Sequence, residues 1–233
     1  MITLPHTLRR AALIALSALA LSACGNILGP SEAPPQIYIL NPQFGPVATA
    51  PATDWQIGIP SPNVPDALDT KRIALQRGQI MDYYANAAWT DQTGDVIQDM
   101  LVDAFEKSGK VKAVGPTSGG VRADLLVTTE VRDFTAHYSS ENGAPNIVVD
   151  IVAKLITSNH HDVVAMFDAR REVQTSVNSV PAVVQAFNQA SGQAVSDIVG
   201  WALANATPKA TDALPPTTAE PSRRRHRSRH HRY

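Results

Sequence analysis

Three long segments in the second half of the chain, 124–138, 146–157 and 163–176, alternate between apolar and polar residues. Such alternation is typical of a strand with one buried face and one exposed face. Asn142-Gly143 lies between the first two segments and is a strong signal for a tight turn. We therefore predict an antiparallel meander of three strands. The side chains predicted to face inward are Leu125, Val127, Thr129 and Val131 in the first strand, Ile147, Val149, Ile151, Ala153 and Leu155 in the second, and Val163, Ala165 and Phe167 in the third.

Two segments, 92–108 and 180–203, have the spacing of an amphipathic helix. In both, apolar residues recur three and four positions apart, which places them on one face of a helix. Asp91 and Ser179 precede the two segments and are predicted to cap the first turns. Gly109 is predicted to end the first helix, because glycine readily adopts the left-handed conformation found there.

Shorter apolar runs in the first half of the chain predict further strands at 36–40, 55–59, 71–77 and 111–114, with a short one around 81–85. Strands that run mostly antiparallel, with helices between and after them, make an α+β domain. We therefore expect a mainly antiparallel sheet of five or more strands, with two helices packed on one of its faces.

The N-terminal residues have the pattern of an export signal. Arg9 and Arg10 precede an apolar run, which ends in Leu21-Ser22-Ala23-Cys24. A charged start, a short apolar middle and small residues before a cysteine indicate a bacterial lipoprotein signal peptide, residues 1–23, with lipid attached at Cys24. A signal cut at an Ala-x-Ala site and a buried helix are the alternatives, and the run is too short to span a bilayer.

Cys24 is the only cysteine among the 233 residues, so no disulfide can stabilise the fold. We expect Cys24 to carry N-terminal acyl and diacylglycerol groups, which would make membrane lipid a partner of the mature chain. No cofactor is expected.

The remaining chain divides into a tether at 24–35 that is rich in Gly and Pro, a domain at 36–204 and a tail at 205–233. All 21 acidic residues precede the end of this tail, where residues 223–232 include six arginines and three histidines. The tail is predicted to be disordered. The basic end is either simply solvated, attracted to anionic headgroups or a cell-wall polymer, or attracted to the acidic body. For an exported chain, nucleic acid is not an expected partner.

Motifs for catalysis are missing from the sequence, which contains no Gly-x-Ser-x-Gly, phosphate-binding loop or His-Glu-x-x-His. We therefore expect neither an enzyme nor a catalytic residue. His160 and His161 lie in a predicted turn, where neighbouring side chains diverge, so a metal site is not expected. Asp95, Asp99 and Asp103 form a row along the first helix, which is either a solvated face or a stripe that faces a partner.

Three aromatic residues, Tyr83, Tyr84 and Trp89, lie shortly before the first helix. Ala87-Ala88-Trp89 is predicted to lead into that helix. Aromatic side chains at this place are candidates for a partner or lipid surface. The alternative for Trp89 is that it packs the helix against the sheet, and one of the two tyrosines must face outward if the segment is extended.

Several pieces occur in a set order along the chain. They are the lipobox and tether, the strand Ile37-Tyr38-Ile39-Leu40, the segments Arg72-Ile73-Ala74 and Tyr83-Tyr84 to Ala88-Trp89, the helix end Phe105-Glu106-Lys107-Ser108-Gly109, and Ala123-Asp124-Leu125 opening a strand that ends near Phe134. In this order they resemble the ABC-type transport auxiliary lipoprotein family, the paraquat-inducible protein C-like lipoproteins. The resemblance covers about residues 24–203.

This resemblance implies a non-catalytic accessory subunit, anchored in the outer membrane and facing the periplasm. Its implied partners are an MCE-domain protein and an ABC permease and ATPase that move phospholipid or another hydrophobic cargo. Gly25 follows the lipidated cysteine in place of the Asp that usually signals retention in the inner membrane, which favours the outer membrane. A domain that itself carries lipid and a structural envelope lipoprotein that grips the cell wall through its tail are the alternatives. An oligomer is possible.

Overall fold

The computed structural model describes residues 34–47, 50, 52–120 and 122–206. Cys24, the signal peptide predicted at 1–23, most of the predicted tether and nearly all of the predicted tail lie outside these residues.

The predicted α+β class is confirmed, with eight strands and two helices. They are β1 (Gln36–Tyr38), β2 (Gln56–Ile59), β3 (Arg72–Arg77), β4 (Ile80–Trp89), α1 (Thr93–Ser108), β5 (Ala113–Pro116), β6 (Leu125–Tyr138), β7 (Asn146–Thr157), β8 (Val163–Gln174) and α2 (Val180–Asn205). A short 3₁₀ turn, Thr117–Gly119, follows β5. All eight strands belong to one mixed sheet, which is mostly antiparallel.

Strand β6 is the centre of the sheet, because both of its edges are paired. One edge pairs antiparallel with β7 along nearly its whole length, and β7 pairs in the same way with β8. The other edge pairs in parallel with two strands in turn: β2 near Leu125 and β3 near Tyr138. The sheet therefore branches at β6, with β5 beyond β2 on one branch and β4 and β1 beyond β3 on the other.

The predicted meander is confirmed. Leu125, Val127 and Val131 are buried, and a bulge after Val131 resets the alternation so that Phe134 also faces the core. The inward orientation predicted for Val163 is wrong, since this side chain is 55% exposed. The register between β7 and β8 shifts at the start of β8, which turns Val163 away from the face that the following residues share.

The middle of β7 is buried on both faces, from Ile147 to Ala153. Alternation predicts burial of only one face. Val148 and Val152 on the outer face are nevertheless 2% and 3% exposed. Val148 lies opposite Glu172 and Val152 opposite Asp168, and the long side chains of Arg170 and Arg132 reach these two carboxylates on the same face. Apolar stems of such side chains can cover apolar surface while their charged ends stay in water.

Strand β4 is longer than predicted, and it corrects the assignment of Ala87-Ala88-Trp89 to the lead-in of a helix. These residues pair in parallel with β1, with Trp89 opposite Tyr38. The pairing of β4 with β3 shifts register between Arg72 and Ala74, and Asn86, in the same part of β4, has a left-handed φ of 54°. Asparagine tolerates that conformation better than most residues.

The helix caps are partly as predicted. The Ser179 hydroxyl accepts a hydrogen bond from the Ala182 N–H at the start of α2, and Gly109 ends α1 with a φ of 61°. Asp91 does not cap α1, because the helix begins one residue later, after Gln92. A residue distant in sequence supplies the cap instead: the Asp69 carboxylate accepts the Gly94 N–H at 3.1 Å.

The carboxylate of Asp91 has a different role. It accepts the Gln92 N–H at 3.0 Å and lies 3.2 Å from the Lys71 ammonium. The hydrogen bond from Gln92, followed by the interactions with Lys71, holds the pKa of Asp91 below its usual range.

One core cluster joins both helices to the sheet. At its centre Trp89, Phe134 and Phe187 bring together β4, β6 and α2. The Trp89 ring centroid lies 5.3 Å from that of Phe187, and Phe134 lies 4.8 Å from Phe187. Edge-to-face and tilted ring pairs of this kind add stability beyond the area that they bury. Among the described residues, no helix is both long enough and apolar enough to span a membrane.

We predict that Phe187→Ala lowers the free energy of unfolding by about 3–5 kcal/mol, because it removes a fully buried ring from between two others. Denaturant titration of the purified protein measures this change. Gln189→Ala, on the exposed face of the same helix, is the matched control and should change stability by no more than about 0.5 kcal/mol. A loss below about 1 kcal/mol for Phe187→Ala would show that this cluster is not the centre of the core.

Candidate functional site

Trp89 lies inside the core, 2% exposed, so the prediction that it forms part of a partner or lipid surface is wrong. The alternative, packing between sheet and helix, describes its position. Its indole contacts rings from β6 and α2. The parallel pairing of the end of β4 with β1 fixes this orientation, and no local pattern in the sequence reveals that pairing.

Tyr84 is half-buried and belongs to a chain of hydrogen bonds. Its hydroxyl lies 2.8 Å from that of Tyr138, which donates to the side-chain amide oxygen of Asn178 at 2.7 Å. Burial, followed by the hydrogen bond with Tyr138, raises the pKa of Tyr84 well above its usual range. The phenol is therefore neutral at physiological pH, and it connects β4 to the loop before α2.

Tyr83 is also half-buried, and its hydroxyl donates to the Ala67 carbonyl oxygen at 2.8 Å. The Arg72 guanidinium covers one side of the ring, 3.9 Å from its centroid. A cation over an aromatic face is a stabilising contact. A role for Tyr83 and Tyr84 in a partner or lipid surface stays a prediction.

The candidate site lies where residues 41–47, which we call the strap, cross α2. The Asn41 N–H donates to the Asn188 side-chain oxygen, and the Gly45 N–H donates to the Ser196 hydroxyl, both at 2.7 Å. Asn188 and Ser196 lie on one face of α2 with Gly192 between them, since residues four apart are neighbours on a helix. Two polar side chains of α2 thus hold an irregular segment by its backbone.

Gly192 allows the strap to approach α2 closely. A Cβ atom at this position would lie only 2.5 Å from the carbonyl oxygen of Gln43. Gly200, two turns further along the helix, has more room, since its added Cβ would meet Val47 at 3.8 Å. The absence of a side chain is therefore needed at Gly192 but not at Gly200.

An open cleft of about 1060 Å³ follows the strap along α2. Phe44, Val47 and Trp201 supply apolar surface to the cleft. The Trp201 ring stacks on Phe167 of β8, with 5.6 Å between the ring centroids. Arg171 of β8 also lines the cleft and forms an ion pair with Asp197.

The exposed side of α2 along this cleft is uncharged. Gln185, Gln189 and Gln193 form its exposed row. Asp197 is the one charged residue in the helix, and its carboxylate pairs with Arg171. The centres of protein interfaces are depleted of charge, whereas ordinary solvated helices carry it. The glutamine row can form hydrogen bonds and the cleft can form apolar contacts, so this surface is suited to binding a partner.

The sequence reasoning missed this site. The available signal was the spacing of four between Asn188, Gly192 and Ser196, which interrupts an apolar pattern with polar and small residues. That spacing shows a distinct helix face, but it does not show that a segment about 150 residues earlier in the chain would lie on it.

The other residues considered from the sequence do not come together as a site. His160 and His161 lie in the turn between β7 and β8, where His161 has a φ of 58°. In the part of the chain that the structure describes, no group of three or more His, Cys, Asp or Glu side chains could hold a metal ion. In the acidic row of α1, Asp103 pairs with Lys107 at 2.7 Å, while Asp95 and Asp99 are exposed.

We predict that Gly192→Ala displaces the strap and costs about 1–3 kcal/mol of stability, the usual range for an overpacked contact. Hydrogen exchange should show faster exchange of the Asn41 and Gly45 amides, whose acceptors are on α2. Gly200→Ala is the control: it leaves those amides protected and stabilises the helix by up to about 1 kcal/mol. Unchanged protection in Gly192→Ala would contradict the close approach.

Comparison with known proteins agrees with this fold. A crystal structure of a Xanthomonas campestris protein of family model DUF330 is 30% identical, with a TM-score of 0.68 over 72% of this chain and 94% of that chain. A crystal structure described as an uncharacterized protein is 14% identical, with a TM-score of 0.57 over 72% of this chain and 97% of that chain. No curated protein sequence shows a significant match.

The family model described as the ABC-type transport auxiliary lipoprotein component matches residues 38–199, which include the strap, the centre of the core cluster and the glutamine row. The resemblance seen in the sequence is thereby confirmed. This chain belongs to the ABC-type transport auxiliary lipoprotein family.

Proposed function

We propose that this protein is the non-catalytic accessory subunit of an MCE-type ABC transporter that moves phospholipid or another hydrophobic cargo. In this proposal, acyl and diacylglycerol groups on Cys24 anchor it in the outer membrane, facing the periplasm. It acts by docking: the anchor holds one end of the chain, and the cleft and glutamine row along α2 bind the MCE protein, through which the chain is connected to the ABC permease and ATPase.

The observation that carries the proposal is the family match, which spans nearly the whole described body from β1 to α2. Members of this family are auxiliary components of ABC-type transport. The lipobox at residues 21–24 supports the anchoring, because a lipid-linked cysteine would hold the chain at a membrane.

The packing of the domain favours docking over carriage of cargo in the interior. The space between sheet and helices is filled by fully buried side chains, including Trp89 and Phe187. The cleft lies on the surface, and the row beside it has no charge to desolvate when a partner binds. Burying an unpaired charge is costly, so an uncharged row favours association.

Cross-linked pull-down from membranes tests the docking role. The full-length protein should recover an MCE-domain protein together with an ABC permease or ATPase. Gln189→Lys places a charge in the centre of the glutamine row and should reduce recovery by roughly tenfold or more, as expected when a charge is buried at an interface. Ser139→Lys introduces the same charge at an exposed position in the β6–β7 turn and should bind like the wild type.

Recovery of no transporter component by the wild-type chain would overturn the proposal. Equal recovery by Gln189→Lys and Ser139→Lys would leave the accessory role but remove the α2 surface from it. Both variants change exposed side chains, so thermal unfolding should confirm that they fold normally.

A second candidate function is direct lipid carriage in the cleft. Its volume of about 1060 Å³ is at the upper end of the roughly 300–1,000 Å³ typical of small-molecule pockets. Native mass spectrometry of the full-length protein distinguishes the two roles, since a carried lipid adds mass that denaturation removes, whereas the lipid on Cys24 stays attached. Absence of removable lipid would support docking.

The proposed anchoring has its own test. Gly25→Asp should move the protein from the outer to the inner membrane, as judged by density-gradient separation of the two membranes, and Gly25→Ser should leave it in the outer membrane. Cys24→Ser should abolish incorporation of labelled palmitate. An outer-membrane position for Gly25→Asp would contradict the sorting part of the proposal, and labelled Cys24→Ser would contradict the site of lipid attachment.

A further inference from the structure

Strand β8 has an unpaired edge. It pairs with β7 along one side, and within the described part of the chain no strand pairs with its other side. The strand is 12 residues long. Exposed edges of this length invite pairing with another strand, and proteins usually protect them with Pro, charged side chains, bulges or a covering segment. β8 contains no Pro, so its four charged residues, Asp168, Arg170, Arg171 and Glu172, decide which strand can pair with it.

The two faces of β8 carry different side chains. Phe167 stacks on Trp201 of α2 and Arg171 pairs with Asp197 of α2, so both lie on the helix face. Asp168, Arg170 and Glu172 alternate with them and lie on the outer face.

Ion pairs already hold the outer-face charges in place. The Arg170 guanidinium lies 3.0 Å from Asp150 and 2.8 Å from Glu172, and Asp168 lies 3.3 Å from Arg132. Side chains that are already ordered lose less freedom on binding than free ones.

The charge order along β8 is self-complementary in one register. When two copies of a strand pair antiparallel about a two-fold axis normal to the sheet, opposing residues lie on the same face. An axis at Ala169 places Asp168 of each copy opposite Arg170 of the other, which makes two opposite-charge pairs. It pairs residues 164–174, nearly the full strand.

The neighbouring registers are unfavourable. An axis at Asp168 or at Arg170 sets that charge opposite itself. An axis at Arg171 pairs Arg170 with Glu172 but sets Arg171 opposite itself on the helix face, beside the core. Like charges directly opposite each other destabilise a sheet.

Apolar side chains favour the same register. Met166 is 64% exposed on the outer edge. An axis at Ala169 places it opposite the stem of Glu172 from the second copy and places Phe167 opposite Arg171, a cation–π pairing. Exposed apolar groups along the edge are thus covered in the register that the charges select.

We propose that two copies of this protein pair through β8, antiparallel, about a two-fold axis at Ala169, and so join their sheets edge to edge. The occupant of this edge is a second copy of the chain, because the strand complements its own charge sequence. The cleft along α2 includes Arg171, so the dimer would bring the two candidate docking surfaces to neighbouring positions.

Charge reversal tests the pairing, because two variants that each lose the dimer should form it again when they are mixed, which a folding defect would not allow. Asp168→Lys sets a lysine opposite Arg170 of the second copy, and Arg170→Glu sets a glutamate opposite Asp168, so each variant alone repels its own copy. When the two variants are mixed in equal amounts, a dimer that contains one copy of each has two opposite-charge pairs again. In that mixed dimer, the introduced lysine faces the introduced glutamate, and Asp168 of one copy faces Arg170 of the other. Asp99→Lys, an exposed reversal on α1, is the matched control.

Sedimentation velocity of the full-length protein in detergent measures the mass of the protein component. Wild type and Asp99→Lys should be dimers, and each variant should weaken dimerisation by roughly tenfold or more, since two pairs change from attraction to repulsion. The mixture should recover the dimer.

Asp168→Lys breaks only an exposed ion pair with Arg132, so it should keep its fold, which circular dichroism checks. Arg170→Glu also removes the partner of the buried Asp150, so the mixture result is read only if this variant is folded.

A wild-type protein that is monomeric at all concentrations would overturn the proposal. The edge of β8 would then be covered by another segment of the chain or by a different protein. A dimer that Asp168→Lys leaves unchanged would overturn it as well. These outcomes are independent of the transporter pull-down, which reports on the surface of α2.

Discussion

Backbone hydrogen bonds along both edges of β6 hold the sheet together, and the remaining structure depends on them. One edge pairs along nearly its whole length with β7, the next strand in the chain. The opposite edge is shared between β2 and β3, whose residues lie about 60–70 positions earlier in the chain than their partners in β6. β4 pairs with β3 and so joins the sheet through this shared edge, and Trp89 at its end contacts Phe187 of α2 in the core.

The strap depends on the same arrangement. It connects β1, at the end of one branch of the sheet, to β2, on the other branch, and its path crosses α2. Two backbone N–H groups of the strap find side-chain acceptors on the helix, which satisfies donors that an irregular segment would otherwise leave unpaired. The cleft is the space beside this path, so the candidate docking surface follows from how the branches are joined.

The charge distribution separates two kinds of surface. The outer face of the sheet carries a network of ion pairs around Arg132 and Arg170. The glutamine row of α2 is uncharged, and the one acidic residue of the helix, Asp197, is neutralised by Arg171. Surface ion pairs contribute little to stability. In the proposed dimer these charges select the register in which β8 pairs with β8 of a second copy. The uncharged row is instead suited to a partner that must displace water from it.

Local patterns in the sequence were enough to predict the α+β class, the three-strand meander, both helices and the family. Alternation and helical spacing depend on which face of a local element is buried, and neighbouring residues encode that directly. The parallel pairings of β6, the length of β4 and the burial of Trp89 emerged only from the folded structure. It also placed Asp69 at the start of α1 and the strap on Asn188 and Ser196. Each of these joins residues far apart in the chain, and the geometry of distant partners leaves no periodic pattern in either segment alone.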